Sequence, residues 1–401
     1  MAVAQPRSTF GEVFAVGEFR ALWSAQVLSV AGDQLARVAL TLLVFARTHS
    51  ALLAAVTFAA SIVPTFVGGV TLSGLADRLP RRQVMIAADL SRAALVGIMA
   101  LPGTSLAAMV CLLALVTVIS APFTSARAAI YPDILPGDLY VLGTAVTITT
   151  LQFAQVVGFA AGGAIVGFFG VRTSLLVDAA TFIVSALITR AWVRARPAAR
   201  SGLRLPTPSL PDLRAGLVLV FGDPRLRTPM LLGWLVAFYN VPEGVVAPLA
   251  KSLAGGDVTA GLLLAAGAFG ACVGAVGFSR LVWPAQRLRL MSPIATAACG
   301  VLMLFAFRPA LPVTLVLLTV SGIFDCYQLA ANAEFVRATP PAQRSQAFGI
   351  AQGGMSLGQG TAMILAGAAA QRFAPSIVIA ASGALGAAVA IVITLTRSRA
   401  H

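Results

Sequence analysis

Ser73-Gly74-Leu75-Ala76-Asp77-Arg78-Leu79-Pro80-Arg81-Arg82 is the most charged short stretch between two long apolar segments of the chain. One acid and three arginines fall within its last six positions. The segment that follows, residues 83–102, is long enough to cross a bilayer at the rise of ~1.5 Å per residue of an α-helix. The stretch therefore predicts a tight cytoplasmic turn between two membrane helices.

The composition is that of an integral membrane protein. Of 401 residues, 58% are hydrophobic and only 10% are charged, and the mean hydropathy is +0.91, well outside the balance of soluble domains. Apolar runs of membrane-spanning length recur along the whole chain. We expect an all-α membrane protein with twelve transmembrane helices, at residues 20–46, 51–75, 83–102, 105–129, 141–169, 171–193, 227–253, 257–282, 287–307, 310–336, 345–372 and 374–396.

The net charge of +14 reflects membrane topology rather than nucleic-acid binding, because the basic residues are spread along the chain. If the N-terminus is cytoplasmic, 17 arginines fall in the cytoplasmic loops and tails. The opposite loops hold five basic residues, Arg47, Arg172, Lys251, Arg308 and Arg372. The positive-inside rule then predicts a multi-pass protein of the plasma (inner) membrane with both termini in the cytoplasm. No removable signal peptide is expected.

The chain divides into two similar parts. We predict an N-terminal six-helix half at residues 1–193, a cytoplasmic linker at 194–226 and a C-terminal six-helix half at 227–401. A shift of 205 residues sets Pro136 on Pro341 and Gly162 on Gly367, so the halves are read as parallel repeats with a binding site between them near mid-membrane. Apolar residues at helical spacing in 211–221 predict a short interfacial helix, with an irregular loop as the alternative.

Ionisable side chains inside a membrane are expensive and mark candidate functional positions. The first span carries Gln26, Asp33 and Arg37 on one face. Asp33 lies near the midplane, and Arg37 is placed one turn later for a helical ion pair. Two interpretations stay open: a structural pair, or a site where substrate or a proton competes for Asp33.

Three further spans carry polar stripes. The fourth contributes Arg127, and the seventh contributes Asn240 and Glu243 beside Pro242, where a broken helix would free backbone groups that only a cavity can satisfy. The tenth carries three polar residues on one face. With the first-span residues these form the predicted substrate or proton-coupling set: Gln26, Asp33, Arg37, Arg127, Asn240, Glu243, Asp325, Gln328 and Asn332. Asp89, Arg92 and Asp178 are interpreted as structural.

The motif Asp77-Arg78-x-x-Arg81-Arg82 resembles the signature loop of the major facilitator superfamily, although Ser73 and Pro80 stand where glycines are usual. Gly158-x-x-x-Gly162-Gly163-x-x-x-Gly167 is similar to the glycine motif of its antiporters, or serves close helix packing alone. Phe19-Arg20-x-Leu22-Trp23 and Arg127-x-x-x-Tyr131-Pro132-Asp133 resemble the enterobactin-exporter-like and macrolide-efflux-like subfamily. The arginine expected early in the fourth span of proton-coupled exporters is absent.

The resemblance implies export of a small, largely apolar molecule by alternating access, in a monomer without a cofactor. Proton exchange stays open. It also implies that the first, fourth, seventh and tenth spans line the cavity. Asp77, Arg78, Arg81 and Arg82 would form a cytoplasmic latch, or merely anchor topology. A lysolipid flippase, a nutrient importer and a non-transporting receptor or scaffold are the alternatives. An enzyme is not expected, because His49 and His401 lie outside the spans.

Overall fold

The computed structural model describes residues 9–72, 75, 79–196, 210–340 and 343–398. Asp77 and Arg78 of the predicted latch lie outside this part of the chain. Throughout the described residues the regular secondary structure is helical. The predicted all-α fold class is confirmed.

The first half consists of long helices joined by short turns. After a short helix, Phe10–Ala15, the chain forms Gly17–Thr48, Ala51–Leu72, Arg81–Met99, Leu106–Ile134 and Asp138–Trp192. The last of these contains two spans, because Gly170 adopts a φ of 81° and breaks the helix. Only glycine takes this conformation without strain, and the sequence prediction ended the fifth span there.

The second half follows a helix at Leu210–Gly222, the segment for which the sequence predicts a short helix. Its membrane-spanning helices are Pro224–Gly244 with Val246–Ser252, Asp257–Leu281, Gln286–Phe307, Leu311–Ala338, Arg344–Ala369 and Pro375–Ser398.

Eight described helices are long and apolar enough to cross a membrane, or nine if the bent seventh span is included. The division at Gly170 adds one, and the more polar helices Arg81–Met99 and Arg344–Ala369 add two. This organisation is consistent with twelve spans.

We name the ends of the bundle after the predicted orientation: Ser50 and Gly170 lie at the outer end, and Arg81 lies at the inner end. The two halves share an apolar cluster. It joins Val38 and Phe58 of the first half to residues such as Leu264 of the second. At the outer rim, Gln371 Nε2 donates a hydrogen bond to Ser50 Oγ at 2.9 Å. In this conformation the outer end is therefore closed.

Small residues allow the closest approach between the halves. A Cβ atom on Gly163 would lie 2.7 Å from Gly261 Cα and from the Asp257 carbonyl oxygen. Gly167 faces Val258 in the same way, so these two glycines of the fifth span pack on the eighth. Gly158 and Gly162 turn instead towards the first span. The glycine motif thus serves two helix contacts, one inside the first half and one between the halves.

Candidate functional site

A central cavity of about 580 Å³ lies between the two halves. Gln152 and Gln155 line it from the fifth span, and Gln352 and Gln359 line it from the eleventh. The seventh and tenth spans add Asn240, Glu243 and Asp325. A second space of about 470 Å³, the inner cavity, shares Asp325 and Gln352 with it and continues towards Phe335 and Phe348. Gln328 and Asn332 line this inner cavity. The structure therefore brings five predicted site residues together.

Tyr239 organises the acid of the tenth span. Its hydroxyl donates a hydrogen bond to Asp325 Oδ1 and accepts one from Gln328 Nε2 at 3.0 Å. Gln328 Nε2 also donates to the Gly233 carbonyl at 2.9 Å, and Tyr327 donates to that of Leu232 at 2.9 Å. Asp325 and Gln328 are thus held by hydrogen bonds to the seventh span, so the cavity wall is built from two spans.

The seventh span is broken, as the residues around Pro242 predict. It consists of Pro224–Gly233, Val236–Tyr239, Val241–Gly244 and Val246–Ser252, with a bend of 48° before the last piece. Pro242 has no N–H for the Phe238 carbonyl, four residues earlier. Ser382 Oγ of the twelfth span donates to that carbonyl instead, at 2.8 Å. The break is stabilised by side chains, and it leaves Asn240 and Glu243 facing the cavity.

The first half contains its own polar pocket, of about 110 Å³. Asp33, Gln34 and Arg37 line it from the first span, and Asp178 lines it from the sixth. Ser61, Thr117 and Ser120 complete its polar wall. We call this the first-half pocket. The predicted site is therefore divided, with Asp33 and Arg37 here and the seventh- and tenth-span residues in the central and inner cavities.

Arg92 is the partner of Asp33, and the predicted ion pair between Asp33 and Arg37 is wrong. Arg92 Nη1 lies 3.7 Å from Asp33 Oδ2, and Arg92 Nη2 forms a short ion pair with Asp89. The guanidinium carbon stands 4.2 Å from the Phe182 ring centre and 5.1 Å from that of Phe123. Arg92 is 2% exposed. The third span places Arg92 within ion-pair distance of Asp33, whereas Arg37, one turn further along the first span, forms no ion pair with it.

Arg37 points towards the other half of the molecule. Its Nη2 donates to the Ser61 carbonyl at 3.3 Å, beside the break before Pro64 in the second span, and its guanidinium lies over Phe58. It interacts electrostatically with Glu243 as well as with Asp33, without a direct ion pair to either. Arg37 thus links the first-half pocket to the acid of the central cavity.

Two predicted site residues lie elsewhere. Gln26 is buried, and Arg127 contacts Tyr131 on its own helix, where Nη1 donates to the hydroxyl at 3.3 Å. Tyr131 in turn contacts Thr147 of the fifth span. Neither Gln26 nor Arg127 is among the described residues that line the three spaces above. The first and fourth spans, which were expected to line the cavity, contribute no described residue to the central or the inner cavity; the fifth, eighth and eleventh spans line the central cavity beside the seventh and tenth.

The described part of the signature loop makes contacts within the first half. Arg81 Nη1 binds Asp133 Oδ2 at 2.8 Å and the Ala129 carbonyl at 2.8 Å, so it ties the third span to the fourth. Arg82 donates to the carbonyl of Arg190, at the end of the sixth span. These bonds hold the inner ends of the first half together. The latch to the eleventh span remains a prediction.

Sequence reasoning missed the roles of Tyr239, Arg92 and Asp178. Asp89 and Arg92 stand three residues apart in an apolar run, which is a signal for a buried pair. Nothing in their spacing places them against Asp33. That neighbourhood depends on the packing of the first, third and sixth spans, which single-sequence periodicity does not specify.

Comparisons with known proteins agree with this architecture. A family model described as Major Facilitator Superfamily matches residues 22–323 and 244–401. The chain is 28% identical over 309 residues to the multidrug efflux pump Tap of Mycobacterium tuberculosis (strain ATCC 25618 / H37Rv). The matched region covers 75% of this chain and 74% of Tap. Tap of Mycobacterium bovis (strain BCG / Pasteur 1173P2) matches equally well.

Solved transporter structures share the fold. A POT family transporter in complex with 5-aminolevulinic acid superposes with a TM-score of 0.73 at 10% identity, covering 97% of both chains. A bacterial homologue of the human lysosomal transporter Spinster, in an inward-facing and occupied conformation, gives 0.69 at 16% identity, covering 97% of this chain and 98% of its own. Because the family model matches most of the chain, this protein belongs to the major facilitator superfamily and is a multi-pass membrane transporter.

Proposed function

We propose that the protein exports a small, largely apolar molecule by alternating access, in exchange for protons. The observation that carries this proposal is the central cavity between two halves that contact each other at the outer end. A rocking motion of the halves would close the inner end and open the outer one. In this proposal both termini are cytoplasmic, and a single chain is the working unit.

The linings of the cavities support this choice of substrate. Trp234, Met355 and Phe335 provide apolar surface, while glutamine side chains offer neutral hydrogen bonds. Glu243 and Asp325 are the acids of the central cavity, and none of its described lining residues is basic. Such a lining favours a lipophilic cation or a neutral molecule over an anion. The similarity to Tap, a multidrug efflux pump, supports export.

Proton exchange would follow from the buried acids. Asp33, Glu243 and Asp325 are the candidate coupling groups. A carboxyl group that binds a proton loses its attraction for a cationic substrate, so protonation on one side would promote release there. The two halves could exchange this signal through Arg37, which interacts with both Asp33 and Glu243.

A vesicle assay tests the proposal. In everted vesicles with an acidified interior, the wild-type protein should accumulate ethidium, whereas Glu243→Gln and Asp33→Asn should lose most of the accumulation that depends on the pH gradient. Asp138→Asn, at the exposed start of the fifth span, is the control and should accumulate the dye normally.

Three outcomes would contradict the account. Wild-type vesicles that fail with a panel of lipophilic dyes would favour a receptor or scaffold. Accumulation only in right-side-out vesicles would indicate import. Unchanged transport by Asp33→Asn would exclude Asp33 as the coupling group.

A separate experiment tests the latch. Asp77→Asn, expressed at the normal level, should export more slowly than the wild type.

A further inference from the structure

The first-half pocket and the charged side chains that adjoin it include more acidic than basic groups: Asp33, Asp178 and Arg37 line the pocket, and Asp89 and Arg92 lie next to it. Asp33, Asp89 and Asp178 converge on Arg92 from the first, third and sixth spans. Arg37 is the basic residue that lines the pocket, and it also interacts electrostatically with Glu243. The polar groups that the fourth span contributes to the pocket are the hydroxyl groups of Thr117 and Ser120. With every acid ionised, four buried carboxylates would share two guanidinium groups, which is costly. The carboxylates are those of Asp33, Asp89, Asp178 and Glu243, and the guanidinium groups are those of Arg92 and Arg37.

The contacts distinguish the three acids around Arg92. Asp89 has both oxygens bound, one by Arg92 and the other by Ser185 Oγ at 2.6 Å. This is the environment of an ionised carboxylate. Asp33 pairs with Arg92 at 3.7 Å, and its side chain is 31% exposed. Its charge is therefore balanced by the pair, and the exposed part of its side chain lines the first-half pocket.

Within the described part of the chain, Asp178 has neither an ion pair nor an exposed side chain. It is 0% exposed, and among the described residues it forms no ion pair within 4.0 Å. Its Oδ1 accepts only a long hydrogen bond from Thr181, at 3.5 Å, and its Oδ2 has no partner in the described structure. The carboxyl group packs against the first span at Gly32, where a Cβ atom would overlap Oδ1. It thus contacts the residue that precedes Asp33 in the first span.

The pocket has room for a path between the two acids. Asp33 and Asp178 line the same space of about 110 Å³. A polar space of this size can hold a few water molecules, since each occupies about 30 Å³ in the liquid. Gln34 Oε1 and Arg37 Nε, on residues that also line it, are further buried atoms without a partner in the described part of the chain. Asp33 forms the exposed end of this path, and Asp178 forms its closed end.

We infer that Asp178 is a proton-binding site, loaded and unloaded through Asp33, in a pocket of the first half separate from the substrate cavity. Its role in transport rests on the proposed proton exchange. The proton resides on the Asp178 carboxyl group and passes to the Asp33 carboxylate, which releases it to solvent. Proton and substrate would then occupy different halves of the molecule, and Arg37 would communicate between them.

Infrared spectroscopy of the purified full chain in lipid nanodiscs tests the site directly. At neutral pH the wild-type protein should show the carbonyl band of a protonated, buried carboxyl group, and Asp178→Asn should lose one such component. Thr181→Val removes the hydroxyl group that contacts Asp178 and should shift the component rather than delete it. Asp138→Asn is the control and should leave the band unchanged.

A spectrum of folded Asp178→Asn identical to that of the wild type would overturn the inference. If Asp178→Asn does not fold, an unshifted band in Thr181→Val would do so. Ethidium export measured in parallel distinguishes a failure of the proposed antiport from a failure of the proton-binding site at Asp178. Loss of the band in Asp178→Asn, with no proton-driven export by the wild type, would refute antiport and leave the site standing. Full proton-driven export by Asp178→Asn would refute its role in coupling.

Discussion

Arg92 shows how a single cation can be kept inside a membrane protein. It lies between two aromatic rings and two carboxylates, and it is almost completely buried. Aromatic faces attract a cation most strongly where water is absent. Through Phe123 the Arg92 guanidinium also joins the third span to the fourth.

Removal of this cation should be severe. Arg92→Met keeps much of the side-chain volume but leaves Asp89 buried without its partner. Breaking a buried ion pair on one side costs about 3–5 kcal/mol, so we expect a large drop in the thermal unfolding temperature in detergent. Arg172→Met, at an exposed position, is the matched control. Arg92→Met combined with Asp89→Asn should recover part of the loss, and a wild-type melting temperature for Arg92→Met alone would contradict this description.

At this scale the sequence predicted which side chains are unusual better than it predicted their partners. Asp33, Glu243 and Asp325 stand out as acids in apolar runs, and all three line cavities. The partner of Asp33 was assigned wrongly because helical spacing describes only neighbours on the same helix. Arg92 and Tyr239 reach their acids from other spans, and no local pattern records that distance.

At the scale of helices, the broken seventh span and the glycine contacts shape the cavity. Proline position predicted the break, because Pro242 cannot supply an N–H to the preceding turn. The sequence did not predict Ser382 as the replacement donor, which comes from the twelfth span. The glycine motif predicted close helix packing but not which helices are in contact. Of its four glycines, only Gly163 and Gly167 contact the eighth span.

The contact between the fifth and eighth spans offers a matched pair of variants. In Gly261→Ala the new methyl group would lie 2.7 Å from Gly163 Cα and from the Phe159 carbonyl oxygen. Gly277→Ala, on the same span, has no neighbour within 4 Å. We expect Gly261→Ala to weaken the outer closure, with longer distances between spin labels on the outer ends of the two helices. Gly277→Ala should keep wild-type distances, and equal distances in both variants would show that close packing there is dispensable.

At the scale of the molecule, polar groups are distributed differently in the two predicted halves. The first half holds a compact charged pocket, and the second half supplies most of the acidic and aromatic wall of the cavities. Hydropathy was sufficient to predict the fold class, because each span must satisfy its own backbone hydrogen bonds in lipid. It could not predict which end of the bundle is closed, since that depends on contacts between the halves.

The central claim is that export requires the outer end to open, and a reversible crosslink tests it most directly. Ser50→Cys and Gln371→Cys would be introduced into a chain whose four native cysteines are replaced by alanine, because these side chains touch across the halves at 2.9 Å. Glu18→Cys with Arg196→Cys is the control, since this pair, 2.7 Å apart, joins the first half to the start of the linker and does not bridge the two halves. We predict that a reducible crosslinker abolishes ethidium export only in the first pair, with recovery after reduction. Export at the uncrosslinked rate by fully crosslinked protein would contradict alternating access.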